Sequence, residues 1–393
     1  MLQLTRRSVM STITQHPNPL PQFALDRRAS WFELFFDLVF VVAVAQLNGA
    51  YVAHYDLAGA AQFAFGFLAM WWCWLGHTFY ATRFDNDLPT QRTLGLLLIL
   101  TVAWLGYGAA DYAGDLHGIF ASGIASFKLL MVVAYALAWR WPAARPMIRF
   151  YGTLYLLQAA LWLLSVDAAP AIRWSLWSAA LLLDVVSPWL AGRFAHEIPP
   201  HAEHLPERFG LFTIILLGES VASAVHALGH GAEPALEARI AAVGGTLLTF
   251  MVWVAYFERT RAHQGRHIAT AHDGLKMRLW AFAHLPLYLG IASLAAGTVY
   301  LSGQALLQPD AQGIFTSGIG MIMLGLLVLS AAQNGESRIR FDPRVWLQLL
   351  LAAGSLFALA AIGFAQPVYL LITTGVAFIL QLAVASERAV GGH

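Results

Sequence analysis

The stretch WFELFFDLVF, residues 31–40, sets Glu33 and Asp37 four positions apart at the head of an apolar run. Positions i and i+4 share one face of a helix, and two carboxylates there repel unless a proton, a cation or an arginine intervenes. Two readings stay open. In one, the pair is the mouth of a proton or small-cation route into the membrane. In the other, Arg27, Arg28 or Arg83 folds back to neutralise it, and Glu33 stabilises the helix start through the dipole.

Other ionisable residues stand deeper in apolar sequence. At 1.5 Å rise per residue, Glu33 lies about 3 Å and Asp37 roughly 9 Å past Trp31, whereas Glu219 lies roughly 15 Å past Phe209. Lys128, Asp184 and Glu219 can share one level. A charge at the bilayer centre costs at least about 2.5–3.5 kcal/mol and marks a functional candidate. Glu33, Asp37, Lys128, Asp184 and Glu219 are therefore the expected ion or proton pathway.

Arg208, Glu219, Ser223 and His226 follow one another at offsets that keep one helix face, and Pro206 and Glu207 suit a helix start. Gly218 is expected to let a second backbone approach. The plainer alternative is that Glu219 pairs with Lys128 as a contact between helices. Asp184 precedes Pro188, whose missing N–H frees a helix carbonyl; a carboxylate beside it suits cation coordination. His77 and His284 are expected to be hydrogen-bonded helix contacts. His196, His201 and His204 crowd one connection with Glu197, Glu203 and Glu207, but neither Cys nor an H-E-x-x-H spacing supports a metal there, so a solvated loop is expected.

The elements that hold these residues follow from composition. Of 393 residues 59% are hydrophobic and 11% charged, against about 25% charged in soluble domains. This is an all-α, polytopic transmembrane helix bundle. A core about 30 Å thick needs about 20 apolar residues per helix, and runs of that length recur about twelve times: 30–53, 57–80, 93–111, 118–140, 148–166, 172–192, 208–229, 237–258, 278–302, 313–332, 345–365 and 367–386. The expected division is a disordered cytoplasmic tail 1–29, helices 1–6 over 30–192, a cytoplasmic linker 193–207, helices 7–12 over 208–386 and a cytoplasmic tail 387–393. Lys and Arg favour the cytoplasmic side; with both termini inside, the inner segments hold 20 of the 23 basic residues and the outer loops only Arg173 and Arg239. Two sets of six helices that both start inside admit a parallel 6+6 repeat. Phe32, Leu34 and Phe35 answer Phe209, Leu211 and Phe212, and MWWCW answers FMVWV.

A net charge of +1 with no long basic run argues against a nucleic-acid partner. The single cysteine, Cys73, excludes a disulfide framework. No phosphate loop or nucleophile elbow is present, which weighs against a nucleotide-driven pump or hydrolase. No cofactor is expected; the expected partners are the lipid bilayer and a proton or small cation, and the sequence is compatible with an oligomer.

WFELFFDLVFVVAVAQL (31–47), YATRFDNDLP (80–89) and HLPERFGLFTIILLGESV (204–221) resemble, in that order, the low temperature requirement protein A family of bacterial membrane proteins. The resemblance implies a bacterial inner-membrane location and hallmark positions at Phe32, Glu33, Phe36, Asp37, Arg83, Asp85, His204, Glu207, Arg208, Gly218 and Glu219. Arg28, Arg83, Asp85, His204, Glu207, Arg208, Ser223 and His226 are the expected supporting polar contacts. The family implies no established activity. The residues point to proton- or cation-linked transport or a channel past Asp37, Asp184 and Glu219; the rival is a membrane-embedded enzyme or lipid-binding protein using Glu33, Asp37, Arg83 and Asp85 at the cytoplasmic headgroup level.

Overall fold

The computed structural model describes residues 28–84, 89–191, 194–229, 234–260, 271–333, 354, 364 and 366–390. Among these, long helices follow one another without a strand: α1 (Trp31–Ala53), α2 (Leu57–Phe84), α3 (Pro89–Ala109), α4 (His117–Leu137), α5 (Arg145–Leu164), α6 (Pro170–Leu190), α7 (His204–His226), α8 (Leu236–Thr260), α9 (Ala271–Ser302), α10 (Pro309–Gln333) and α11 (Pro367–Val390). A single helical turn, Phe194–Glu197, interrupts the connection between α6 and α7. Nine of the described helices are long and apolar enough to cross a membrane. Their outward faces carry large exposed apolar side chains such as Val42, Leu100, Val243 and Ile372, a surface suited to lipid rather than water. The expected span 345–365 lies outside the described residues except at 354 and 364, as do Asp85 and tail residues 1–27.

Local chemistry explains where the helices begin. Pro89, Pro170, Pro309 and Pro367 each open one, where the missing N–H costs nothing and φ is already set. α1 starts on a capping box: Ser30 Oγ accepts from Glu33 N at 3.2 Å, and Glu33 Oε2 accepts from Ser30 N at 2.8 Å. α7 starts earlier than expected. His201 Nδ1 accepts from the backbone N–H groups of Glu203 (3.3 Å) and His204 (3.1 Å), so the helix begins at His204 and takes up Glu207, which the sequence placed in the linker. α11 likewise runs to Val390, past the expected end of the last span.

Connections as short as 54–56, 165–169 and 303–308 cannot recross a bilayer, because a chain reaches at most about 3.6 Å per residue; consecutive helices joined by them run antiparallel. α9 packs on α1, α2, α7, α8 and α10, which puts it at the centre. Several pairings in the two halves correspond: α1 with α2 and α3, α3 with α4, and α2 with α4, against α7 with α8 and α9, α9 with α10, and α8 with α10; the packing of α8 on α9 has no equal between α2 and α3. Glycines bring the closest pairs together. A Cβ on Gly108 would meet Phe120 N at 2.5 Å across α3 and α4, and one on Gly290 would meet Gly318 O at 2.6 Å across α9 and α10.

Candidate functional site

Arg208 is the partner of the α1 carboxylates. One turn into α7, its side chain is fully buried and reaches both acids of α1. Nη1 donates to Glu33 Oε1 at 2.9 Å, Nε donates to Asp37 Oδ2 at 3.1 Å, and Nη2 donates to Asp37 Oδ1. Trp74 Nε1, from α2, adds a 2.8 Å bond to Asp37 Oδ1. His204 Nε2 stands 3.1 Å from Glu33 Oε2; a carboxylate only accepts, so that nitrogen carries the hydrogen. Glu207 Oε2 accepts from Ala29 N at 2.8 Å, just before α1. Three helices thus meet at one ionic knot.

This corrects the expectation that Arg27, Arg28 or Arg83 neutralises the pair. Arg27 lies outside the described residues and Arg28 is exposed. Arg83 is turned elsewhere: Nε donates to Ile198 O at 2.8 Å and Nη1 to Phe79 O at 3.0 Å. Together with His201 N donating to Thr82 O at 3.1 Å, these bonds pin the α6–α7 connection to the end of α2. That connection is therefore not the solvated loop expected for it: His201 and His204 are both buried.

A second knot lies on the other side of α2. Lys128 Nζ of α4 donates to Asp184 Oδ1 at 2.8 Å and Oδ2 at 2.9 Å, beneath the Tyr155 ring, 5.1 Å from its centroid. Lys128 therefore pairs with Asp184 and not with Glu219. Pro188 has no N–H for the carbonyl of residue 184, four positions back; Ser187 Oγ donates to it instead, at 2.8 Å. Both the carboxylate and the freed carbonyl of Asp184 are thus occupied, contrary to the cation-binding arrangement expected there.

The stripe on α7 divides. Arg208 turns inward, but Glu219 is half-buried, accepts from Ser223 Oγ at 3.2 Å and forms no ion pair among the described residues; His226 is exposed. Gly218 faces open space instead of a second backbone. His284 is bonded as expected, by Tyr256 Oη (3.1 Å) and Trp280 O (2.8 Å). His77 packs on Phe36 with ring centroids 4.0 Å apart, and its Nδ1 has no partner among the described residues.

The feature that the residue types did not reveal is a cavity of about 70 Å³ beside the second knot, between α2, α4, α5, α6 and α9. Asp184, Ser187, Gly76 and Tyr155 line it at one level, and Arg83, Met147, Phe194 and Arg278 at the end of the bundle where α1 begins. Gly76 helps to make room: a Cβ there would stand 2.6 Å from Tyr155 Oη. Toward the opposite end, Tyr112, Phe120, Trp162, Trp174 and Trp177 form one block of ring contacts with centroids 4.7–6.1 Å apart. Trp177 Nε1 donates to Ser165 Oγ at 2.7 Å inside it. The block packs α4, α5 and α6 together there.

Apolar helices of membrane-spanning length with paired charges in their interior define a polytopic α-helical membrane protein. The family model for the bacterial low temperature requirement A protein (LtrA) matches residues 28–384. The chain belongs to that family. It is also 28% identical, over 294 residues covering 69% of this chain and 68% of the other, to an uncharacterized protein of Rhizobium meliloti (strain 1021).

Proposed function

We propose that the protein is a proton-linked transporter of the bacterial inner membrane, with the cavity at Asp184 as its solute site. The observation that carries this reading is that Asp184, the acid of the buried pair with Lys128, lines the cavity, while the aromatic block packs α4, α5 and α6 together toward the other end. A solute entering from one side would meet the buried pair and go no further until the block repacked, which is what alternating access requires. A proton delivered to Asp184 would release Lys128 and so link protonation to the shape of the site. With basic loop residues inside, the mouth faces the cytoplasm. The correspondence of helix pairings supports two parallel halves, joined by the Arg208 knot.

A simple cation channel fits less well. Glu33 and Asp37 are held by Arg208, His204 and Trp74, and Asp184 by Lys128; Glu219, without an ion pair among the described residues, is the remaining acid that could exchange a proton from the α7 side. Purified protein in liposomes, with an internal pH dye and an imposed pH gradient, tests the reading. Candidate solutes should accelerate proton movement in the wild type and not in Asp184→Asn. Equal solute-dependent proton movement in both would remove Asp184 from the linkage, and none in the wild type across soluble anions, cations and amphiphiles would end the transport reading.

A further inference from the structure

We infer that the cavity binds the oxyanion head, phosphate or carboxylate, of an amphiphile whose apolar body leaves the protein between α6 and α9. This rests on the cavity being a ligand site, as the transport reading has it, but not on transport.

The first ground is charge. Arg83 is only 6% exposed, yet its Nε and Nη1 donate to two backbone carbonyls, and no carboxylate among the described residues forms an ion pair with it. A buried guanidinium without a counter-ion is costly. Arg278 lines the same cavity, and its Nε is buried; among the described residues it has neither an ion pair nor an acceptor for that Nε. An anion between the two would satisfy both, and guanidinium groups suit the planar or tetrahedral oxygens of carboxylate and phosphate.

The second ground is hydrogen-bond polarity. Two N–H donors of lining residues find no acceptor among the described residues, Trp72 Nε1 and Arg278 Nε. Trp72 is buried and lines the cavity, and its indole Nε1 has no partner among the described residues. Tyr135, Tyr151 and Tyr155 line the same wall, and a phenol can donate as well as accept. The one carboxylate in the lining, Asp184, already accepts twice from Lys128. It stands seven residues above Ala191 on α6, so an anion near the mouth sits roughly 10 Å below it. A ligand that brings acceptors fits this wall; a cation does not.

The third ground is the shape of the opening. α6 and α9 both line the cavity without a broad packing contact between them. Arg278 lies 5.9 Å from the ring centroid of Trp189, a half-exposed residue on the lipid-facing side of α6. Phe79, Met147, Met277, Phe282 and Pro188 supply the apolar remainder of the lining. The volume of about 70 Å³ admits a headgroup and not a chain, so the chain must lie in the lateral gap.

Binding to the detergent-solubilised full-length protein tests this without any flux measurement. The probes are decyl phosphate, decanoate, inorganic phosphate and decyltrimethylammonium, read by titration of tryptophan fluorescence and by thermal shift. Decyl phosphate or decanoate should bind saturably, inorganic phosphate much more weakly, and the cationic amphiphile not at all. Arg278→Gln should weaken the anionic amphiphile by roughly tenfold or more, the loss of one charge-assisted bond pair, whereas Arg149→Gln, an exposed basic residue outside the cavity, should not. Because Arg83 also holds Ile198, Arg83→Lys is paired with Tyr151→Phe, and either should weaken binding while the protein still melts cooperatively. Inorganic phosphate binding as tightly as decyl phosphate would assign the site to a soluble anion and overturn the amphiphile. Equal affinity in Arg278→Gln and wild type, or binding of the cation, would overturn the site itself. Binding as expected with no proton movement in liposomes would end the transport reading and leave the site standing.

Discussion

Trp74 Nε1 donates to Asp37 Oδ1 at 2.8 Å, while Gly76, two residues on, lines the cavity together with Asp184. One stretch of α2 therefore borders both charge centres. A shift of α2 that loosens the first would move the wall of the second.

Trp74→Phe keeps the ring contacts with Phe209 and Phe212 but removes a donor from a buried carboxylate. A lost hydrogen bond to a charged group costs about 1.5–3 kcal/mol, seen as a lower melting temperature in detergent. An unchanged melting temperature would mean that Arg208 alone satisfies Asp37.

Arg208→Gln should destabilise strongly, by about 3–5 kcal/mol, because it strands two buried carboxylates; Asp37→Asn should cost less, because Glu33 still pairs with Arg208. The double variant should be less damaged than the sum of the two, since the pair acts as a unit. Arg208→Lys should not rescue, because an ammonium cannot span Glu33 and Asp37 with one planar fork. Full additivity in thermal unfolding would contradict the knot.

Lys128→Met should destabilise, and Lys128→Met with Asp184→Leu should recover most of the loss. Under the transport reading the double variant folds yet moves no protons with solute. Recovery of both stability and proton linkage would reduce the pair to a packing contact.

Ser187→Ala should cost about 1 kcal/mol, because the carbonyl of Asp184 then lacks a donor. Adding Pro188→Ala returns a backbone N–H four residues on, so Ser187→Ala with Pro188→Ala should be more stable than Ser187→Ala alone. The reverse order would show that the carbonyl finds another donor.

Cys73 is buried, so introduced cysteines report topology with little background. Asp115→Cys and Ala305→Cys should react with an impermeant reagent from one side of the membrane, and Ala143→Cys only from the other. Labelling of Ala143→Cys and Asp115→Cys from the same side would break the alternation of α4 with its neighbours.

The helices were legible because length and hydropathy are local properties: the runs beginning near residues 30, 57, 118 and 237 appear as α1, α2, α4 and α8. Glu33 was legible as a helix-start residue for the same reason, although the S-x-x-E capping box at Ser30 was readable and passed over. The partnership of Arg208 was not, because it joins positions 171 residues apart; the sequence placed it on the α7 stripe as a supporting polar contact and did not pair it with α1. With α7 beginning at His204, Arg208 stands about 6 Å inside the helix, level with Glu33 and Asp37. The pairing of Lys128 with Asp184 over Glu219 depended on which neighbours α4 meets, and three residues at one depth do not decide that. The cavity left no signal at all, since its walls come from five helices and its space from what Gly76 lacks.

The bonds from Arg83 to Ile198 and from His201 to Thr82 make the link between the two sets of helices a splint and not a leash. Apposition of α1 and α7 is enforced by ionic and aromatic matching and not by peptide continuity. A gene split within residues 191–194 should therefore yield two fragments that find each other in one membrane, and the join would survive the loss of its thread.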